Sequence, residues 1–252
     1  TYVLSVAEEV SKHANDNSIF IQKSTVPVKT HTTIKDIFKK NDKSFSYVSN
    51  PEFLREGTAI KDSLWFDRLV VGGDDKSCDK VINLYKILES ERETIAKIAE
   101  IEIPDNNESQ YIKTNADSAE LIKVTSNAFL AMKISFANSI AKVADRTGAD
   151  IKDVMLAVGA DHRIGQDFLS AGRGYGGGCF PKDVSGLISS AEKHGIDLPI
   201  MSAVANVNES MPGYIANKAQ NIMGGLEEKK VAVLGLSFKA NTSDTRRPPG
   251  VK

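Results

Sequence analysis

A long helical pattern without Pro or Gly occupies the middle of the sequence and most constrains what the chain can fold into. It runs from about Asp117 to Gly148, with apolar residues at helical spacing, and Gly148 ends it as a C-terminal cap does. Further helices are predicted over Ile151 to Val158, Val184 to His194 and Pro199 to Met223. We therefore expect a central helical domain over residues 117–226.

The residues before this helix alternate strand and helix patterns behind an amphipathic opening segment. The patterns predict strands at 18–23, 46–49 and 68–73, and helices at 33–40 and 79–88. Such alternation predicts a parallel sheet with helices on its faces over residues 1–116. The fold class that we expect is therefore α/β.

The last residues change pattern again. Lys229 to Leu236 is a charged lead-in to an apolar run with Gly235 near its end, which is typical of a buried parallel strand. We expect residues 227–252 to be the start of a second α/β domain. The chain begins inside a helical pattern and stops soon after Gly250, and both ends look cut.

Composition and charge exclude several classes of protein. Lys and Arg number 32 against 33 Asp and Glu, and no long block of one sign provides a nucleic-acid or membrane footprint. No apolar stretch reaches the roughly 18 residues of a membrane helix. The two cysteines, Cys78 and Cys179, lie far apart, which argues against a disulfide framework and a multi-Cys metal site. We expect a cytoplasmic protein with no nucleic-acid or membrane partner and no metal.

The most informative segment is a glycine-rich loop, Gly172 to Gly178, that leads into Cys179 at the start of a helix, with Pro181 in its first turn. Backbone N–H groups and the positive helix end favour the thiolate, the nucleophilic form of cysteine. Glycines let a ligand approach the backbone closely. The alternative is a flexible turn with a buried small thiol. The run of glycines and the helix start favour the reactive cysteine.

Three other segments carry candidate polar groups. Lys123 and Asn127 are spaced i, i+4 on the long helix and project from one face, although a solvated helix face is the more common explanation. Ser24 to Pro27 follows a strand and is an ordinary loop unless a cofactor lies there. Asn50 to Gly57 places two carboxylates and an Arg beyond another strand, where α/β sheets bind ligands. Surface salt bridges are the competing account.

Taken together, five motifs resemble the UDP-glucose dehydrogenase family of nucleotide-sugar dehydrogenases. They are STVPV (24–28), NPEFLREGTAIKD (50–62), AELIKVTSNAFLAMKISFAN (119–138), GYGGGCFPKD (174–183) and LGLSFKANTSDTR (234–246). Their order and spacing match the family over nearly the whole chain. The least family-like stretch is 89–115.

The resemblance implies a partial Rossmann-like NAD domain over 1–116, a dimerising helical domain over 117–226 and the start of a UDP-sugar domain over 227–252. The family's N-terminal GxGxxG loop, which grips the dinucleotide pyrophosphate, does not occur in this sequence. We therefore expect a fragment lacking that segment and most of the C-terminal domain, and no turnover from these residues alone.

The resemblance also implies the reaction and the residues that perform it. The family oxidises the sugar C6 alcohol to a carboxylate with two NAD⁺, through a cysteine thiohemiacetal and thioester. The implied catalytic residues are Cys179, Lys123, Asp183, Glu52, Thr25 and Asn127. The implied contacts to NAD are Ser24, Thr25, Val26, Glu56, Cys179, Lys182 and Arg246. The implied contacts to the nucleotide sugar are Glu52, Phe53, Leu54, Arg55, Lys123, Asn127, Arg163, Tyr175, Gly176, Phe238 and Lys239.

Within this set, Lys123 is expected to stabilise oxyanion charge, Asp183 to position water or accept a proton, and Glu52 to serve as the base for thioester hydrolysis. Arg163 is expected to reach the substrate of a neighbouring subunit, in a homodimer built on the central helices. UDP-glucose is the favoured substrate. GDP-mannose, a UDP-N-acetylhexosamine and a noncatalytic dimerisation module remain alternatives.

Overall fold

The computed structural model describes residues 2–104 and 108–246, which belong to two compact units, residues 1–123 and 124–252. The elements that lie wholly in the first unit are α1 (Tyr2–His13), β1 (Ser18–Gln22), α2 (Thr30–Lys40), β2 (Phe45–Ser49), α3 (Ala59–Leu64), β3 (Arg68–Gly73), α4 (Asp75–Ile98) and β4 (Gln110–Thr114). The remaining helices are α5 (Ala116–Thr147), α6 (Ile151–Gly159), α7 (Phe180–Lys193) and α8 (Pro199–Met223).

The first unit contains a four-stranded sheet in the order β1-β2-β3-β4. β1 pairs with β2, and β3 with β4, in parallel, but β2 and β3 are antiparallel, with Val48 opposite Gly73. The expectation of a purely parallel sheet is therefore wrong. A parallel return normally needs a long crossover helix, whereas the connection from β2 to β3 contains only the six-residue α3.

Two hydrophobic clusters hold helices against this sheet. One joins Ala7 of α1, Ile34 and Phe38 of α2, and Tyr47 of β2. The other joins strand residues such as Val48 and Val71 to the first turns of α4. The side chain of Asp74 caps α4 by accepting from the Ser77 N–H at 2.9 Å, which fixes where that helix begins.

In the second unit, α5 packs against α7 and α8 through small residues. Ala128 and Ala131 share a buried cluster with Tyr175, Val184 and Val204. Small side chains on α5 let these helices approach closely, and the Ser135 hydroxyl donates to the Val204 carbonyl at 2.9 Å. The predicted helical region after the sheet is thus confirmed.

The predicted strand at 229–236 is wrong, because the structure has no helix or strand between Met223 and Arg246. The apolar side chains of Val231, Val233 and Leu234 are exposed. A strand needs a hydrogen-bonded neighbour, and no strand among the described residues of this unit offers one. Across the described residues, no helix has the length and apolar character needed to cross a bilayer.

Candidate active site

Cys179 lies where the sequence predicts, immediately before the first residue of α7, and it is exposed. Its carbonyl accepts the Asp183 N–H at 2.9 Å, so the cysteine is already part of the first helical turn. Pro181 occupies that turn without loss of a helical hydrogen bond. An exposed thiol at a positive helix end is placed to act as a nucleophile.

Asp183 lies one turn further into α7 and is only 2% exposed. Its Oδ2 accepts from the Asn127 Nδ2 of α5 at 2.6 Å, and its Oδ1 contacts the ammonium of the half-exposed Lys182. A buried carboxylate is stable only when it is paired and hydrogen-bonded, as it is here. The structure therefore joins Asn127, Lys182 and Asp183 in one polar cluster, one turn from Cys179.

The glycine-rich loop is held by two asparagines from the surrounding helices. Asn208 of α8 accepts from the Tyr175 N–H at 2.7 Å and donates to the Tyr175 carbonyl at 3.1 Å. Asn138 of α5 accepts from the Gly172 N–H at 2.7 Å. Burial, with a smaller effect of Glu209, raises the pKa of Tyr175 to about 12. Hydrogen bonds from α5 and α8 thus hold the backbone of the loop.

The segment that carries Phe238 and Arg246 lies directly against this loop. The Gly177 N–H donates to the Arg246 carbonyl at 3.0 Å. Gly177 has a φ of +78°, and a Cβ there would lie 3.0 Å from the Phe238 ring. The Arg246 side chain comes as close to Gly178, and its guanidinium pairs with Asp244. Glycine is required at these positions because the loop backbone touches this segment.

Lys239 contributes through its backbone in the same segment. Its carbonyl accepts hydroxyl hydrogen bonds from Ser237 at 3.0 Å and Thr242 at 3.1 Å. Arg173, within the loop, donates to the carbonyls of Gly235 and Ser237. These bonds give the 235–246 segment a defined turn structure beside the glycine loop, although it contains no regular element.

In the first unit, the carboxyl ends of the parallel strands β1 and β2 bring two of the predicted loops to one edge of the sheet. Asn50 donates its backbone N–H to the Gln22 carbonyl at 2.9 Å and accepts from the Lys23 ammonium at 3.1 Å. The predicted cofactor residues Ser24, Thr25, Val26 and Glu56 lie in these two loops, and Val26 is buried. Ligands of α/β sheets bind at such an edge.

Glu52 and Lys123 form the most buried ion pair among the predicted residues of this unit. Lys123 is 4% exposed, and its Nζ lies 3.3 Å from Glu52 Oε1 and 5.2 Å from the centre of the Phe53 ring. The second Glu52 oxygen accepts the Leu54 N–H at 2.7 Å. A buried ammonium with a carboxylate and an aromatic face is held in one position, as a group that stabilises an oxyanion must be.

Arg55 is bound to Asp62 through two side-chain hydrogen bonds of 3.1 and 2.6 Å. Burial favours the neutral form of Asp62, but hydrogen bonds from the Arg55 side chain and backbone and from Thr58 outweigh it and lower the pKa of this carboxyl. This pair folds the 50–62 segment back on itself. The guanidinium that the sequence predicts for substrate contact is thus engaged within the protein.

Arg163 is bound to its near neighbour in the sequence, Asp161. It follows α6, its side chain is exposed, and its guanidinium makes a double hydrogen bond to Asp161 at 3.0 and 2.5 Å. Exposure is consistent with a residue that reaches another subunit, a role that stays a prediction.

Two family models match most of the chain. Residues 1–89 match the NAD binding domain of the UDP-glucose/GDP-mannose dehydrogenase family, and residues 117–210 match its central domain. The chain belongs to the UDP-glucose/GDP-mannose dehydrogenase family. The family expectation is therefore confirmed, together with the α/β fold class.

Relatives within this dehydrogenase family are similar over the whole chain. UDP-glucose 6-dehydrogenase TuaD of Bacillus subtilis is 41% identical over 254 residues, which is 100% of this chain and 51% of that protein. A UDP-glucose 6-dehydrogenase of Rickettsia felis is 39% identical over 100% of this chain and 53% of its own length. The solved UDP-glucose dehydrogenase of Pyrobaculum islandicum matches with a TM-score of 0.87 at 37% identity, over 99% of this chain and 55% of that one. The chain thus spans about half the length of these relatives.

Sequence reasoning missed three asparagines that hold the predicted loops in place within their own units. Asn208 grips the glycine loop from 33 positions away, and Asn138 and Asn50 are fully buried. Asn138 and Asn50 both lie inside motifs that carry the family resemblance. Their type and motif position were visible in the sequence, but their partners were not.

Proposed function

We propose that this chain is part of an NAD-dependent nucleotide-sugar dehydrogenase that oxidises UDP-glucose to UDP-glucuronate by a covalent route through Cys179. The observation that carries the proposal is the exposed Cys179 at the start of α7, one turn from the buried Asp183–Asn127 pair. The chain belongs to a family of NAD-binding dehydrogenases, and Cys179 follows its glycine loop. The thiol of Cys179 is therefore a nucleophile suited to bind an aldehyde intermediate covalently.

The chemistry at Cys179 converts the intermediate aldehyde into a species that can be oxidised again. Its thiolate adds to the aldehyde carbon, and the carbonyl oxygen takes up a proton to give a thiohemiacetal. Loss of a hydride from its carbon and of the hydroxyl proton converts this adduct into a thioester. Water then cleaves the thioester, which releases the carboxylate and returns the thiol.

Each buried polar group is proposed to stabilise a charge or to transfer a proton during these steps. Lys123 is proposed to stabilise oxyanion charge, because a dry, paired ammonium needs little reorganisation as charge develops. Asp183, held by Asn127, is proposed to position water or accept the alcohol proton. Glu52 is proposed as the base that activates water against the thioester, since its carboxylate is half-buried and held by the Leu54 N–H.

The residues present fit an NAD site at the carboxyl edge of β1 and β2, where the exposed Ser24 and the half-buried Thr25 offer backbone and hydroxyl groups, and Glu56 lies in the neighbouring loop. Bound NAD⁺ supplies the hydride acceptor for both oxidations. Lys182 and Arg246 are proposed as further contacts to the cofactor, because they bring positive charge to an anionic ligand.

The assignment of UDP-glucose as substrate is supported by the names of the similar proteins in Bacillus, Rickettsia and Pyrobaculum. Sugar-nucleotide contacts are proposed from Phe53, Leu54, Arg55, Tyr175, Gly176, Phe238 and Lys239. Neither Cys78 nor Cys179 forms a disulfide bond, which favours a reducing compartment and hence the cytoplasm.

A homodimer through α5 is proposed from its exposed apolar face. Phe129, Phe136 and Val143 recur every seven residues and are 56%, 50% and 55% exposed. A contiguous apolar face of this kind marks an interaction surface. In such a dimer, Arg163 would act on the substrate of the partner subunit.

The complete protein tests the proposal through product stoichiometry. UDP-glucose, GDP-mannose and UDP-N-acetylhexosamines are each offered with NAD⁺, and NADH and sugar acid are measured together. We expect two NADH for each UDP-glucuronate, and no acid from Cys179→Ala. Turnover of only another sugar would replace the substrate, and acid formation by Cys179→Ala would overturn the covalent route. The absence of any NADH would favour the noncatalytic dimerisation module.

A further inference from the structure

A buried polar cluster in the first unit lies outside all the groups assigned to the reaction. It consists of His31, in the first turn of α2, and Asp117 and Glu120, which share one face of the first turns of α5. His31 is 8% and Glu120 2% exposed. One ligand atom from each of the three residues lies within 4.8 Å of the other two.

Several atoms of this cluster are buried without a hydrogen-bond partner. They are both ring nitrogens of His31, Asp117 Oδ1 and Glu120 Oε2, and they make up four of the six such side-chain atoms among the described residues. His31 Nε2 lies 3.3 Å from Asp117 Oδ1 but is not hydrogen-bonded to it. Buried polar atoms normally have hydrogen-bond partners, so a group of four buried atoms without one indicates a ligand site.

The other oxygens of the two carboxylates are held in place. Glu120 Oε1 accepts from the Tyr47 hydroxyl and from the His31 backbone N–H, both at 3.0 Å. Asp117 Oδ2 accepts from the Lys29 ammonium at 2.8 Å. Each carboxylate is therefore oriented by one oxygen and leaves the other for the centre of the cluster, which is how outer hydrogen bonds orient metal ligands.

We propose that His31, Asp117 and Glu120 bind a divalent cation of the zinc type. An imidazole nitrogen with two carboxylate oxygens suits Zn²⁺ better than Mg²⁺ or Ca²⁺, which prefer oxygen ligands alone. Zinc bonds of about 2.0–2.2 Å place the ligand atoms of a tetrahedral site about 3.5 Å apart. The most widely separated ligand atoms would therefore move roughly an ångström closer together when zinc binds. Asp117 is the most exposed of the three and provides the entry side.

The cation would tie α2 to α5. Because it binds the folded protein, it stabilises the fold by an amount that grows with the logarithm of its concentration over its dissociation constant. The site is separate from the proposed reaction, since neither His31, Asp117 nor Glu120 is assigned to substrate or NAD.

Zinc binding to the complete protein tests this site after Cys179 has been alkylated, so that its thiolate cannot bind the metal. Competition with a chromophoric chelator measures the affinity, and Co²⁺ absorption shows whether sulfur is a ligand. We expect one equivalent of Zn²⁺, no thiolate-to-cobalt band, and a rise in Tm with added Zn²⁺. His31→Gln and Asp117→Asn should each weaken binding by about 10- to 100-fold or more, as loss of a metal-site group does.

The matched control is His13→Gln, which removes an exposed histidine that lies 3.3 Å from Glu9 in the same unit; it should bind Zn²⁺ as the wild type does. Asp117 is partly exposed, so Asp117→Asn tests the site even if His31→Gln fails to fold. Absence of zinc binding in the wild type, or unchanged affinity in Asp117→Asn, would overturn the proposal and leave a hydrated polar cluster.

Discussion

The two cysteines illustrate how position alone decides what a side chain can do. Cys78 is fully buried against β3 in the first unit, and burial, with a smaller effect of Asp74, raises the pKa of its thiol. Cys179 is exposed at the positive end of α7. Neither cysteine has another cysteine near it in the sequence. Only Cys179 combines exposure to solvent with a position at a helix N-terminus that favours the thiolate.

This difference predicts selective alkylation. With limiting iodoacetamide near neutral pH, Cys179 should be modified well before Cys78, because the reagent must reach a thiolate. Peptide mass mapping over time measures both sites, and the unfolded chain serves as the control in which both should react. Comparable rates for the two cysteines in the folded protein would contradict the setting assigned to Cys179.

Asp62 provides a stability prediction with a defined pH dependence. Its pKa is lowered in the folded state, so its contribution is present above the unfolded pKa of about 3.9 and is lost as pH falls through the lower, folded value. Asp62→Asn should reduce the free energy of unfolding by about 1.5–3 kcal/mol at neutral pH, the range for hydrogen bonds to charged groups. The difference from wild type should shrink below about pH 4.

Urea unfolding at a series of pH values measures this effect. Asp161→Asn is the control, since its arginine pair lies at the surface within one short turn and should contribute little. If Asp62→Asn lowered the free energy of unfolding by the same amount at low pH, the contribution of Asp62 would come from its shape and not from its charge.

At the scale of elements, sequence periodicity predicted the bounds of a helix or strand best where a single pattern covered the whole element. The strand at 68–73 and the helix at 199–223 have the predicted bounds. The strand β4 was missed because Gln110–Thr114 is a short, polar edge segment without apolar alternation, and the six-residue α3 is too short for a helical period. The apolar run at 229–236 has a strand's composition but no neighbour to pair with among the described residues.

Helix α8 supports the glycine loop although it contains no predicted site residue. Its Asn208 makes two hydrogen bonds to Tyr175, so Asn208→Ala should release the loop that leads to Cys179. We expect lower kcat in the complete protein and a stability loss of about 1–3 kcal/mol. The exposed Asn217 of the same helix is the control, and Asn217→Ala should change neither quantity. Unchanged kcat in Asn208→Ala would mean that the loop needs no support from α8.

At the scale of the whole molecule, the family resemblance predicted what local patterns could not. Five motifs identified the dehydrogenase family and most candidate residues, because an ordered set of long motifs is far more specific than a single period. It did not reveal contacts such as Asn208 to Tyr175 or His31 to Asp117, since their partners are distant in sequence. The domain boundaries at 116 and 226 stay predictions, and the two compact units divide within α5.

The exposed apolar face of α5 predicts the assembly of the whole molecule. Wild-type protein should scatter light as a dimer at micromolar concentration, and Phe136→Glu should shift it towards monomer because a charge would be buried in the interface. Leu84→Glu, on an exposed apolar position of α4, is the control and should leave the mass unchanged. A monomeric wild type would contradict both the dimer and the cross-subunit role of Arg163.

The covalent route through Cys179 is tested most directly by intact-protein mass spectrometry of Glu52→Gln. Loss of a well-placed general base typically slows its step by about 10²- to 10⁴-fold, so thioester hydrolysis should become limiting while both oxidations continue. After mixing the complete variant with NAD⁺ and UDP-glucose, we expect a protein-bound sugar adduct that disappears when Cys179 is also replaced by Ala. A burst of NADH without any adduct would contradict the account.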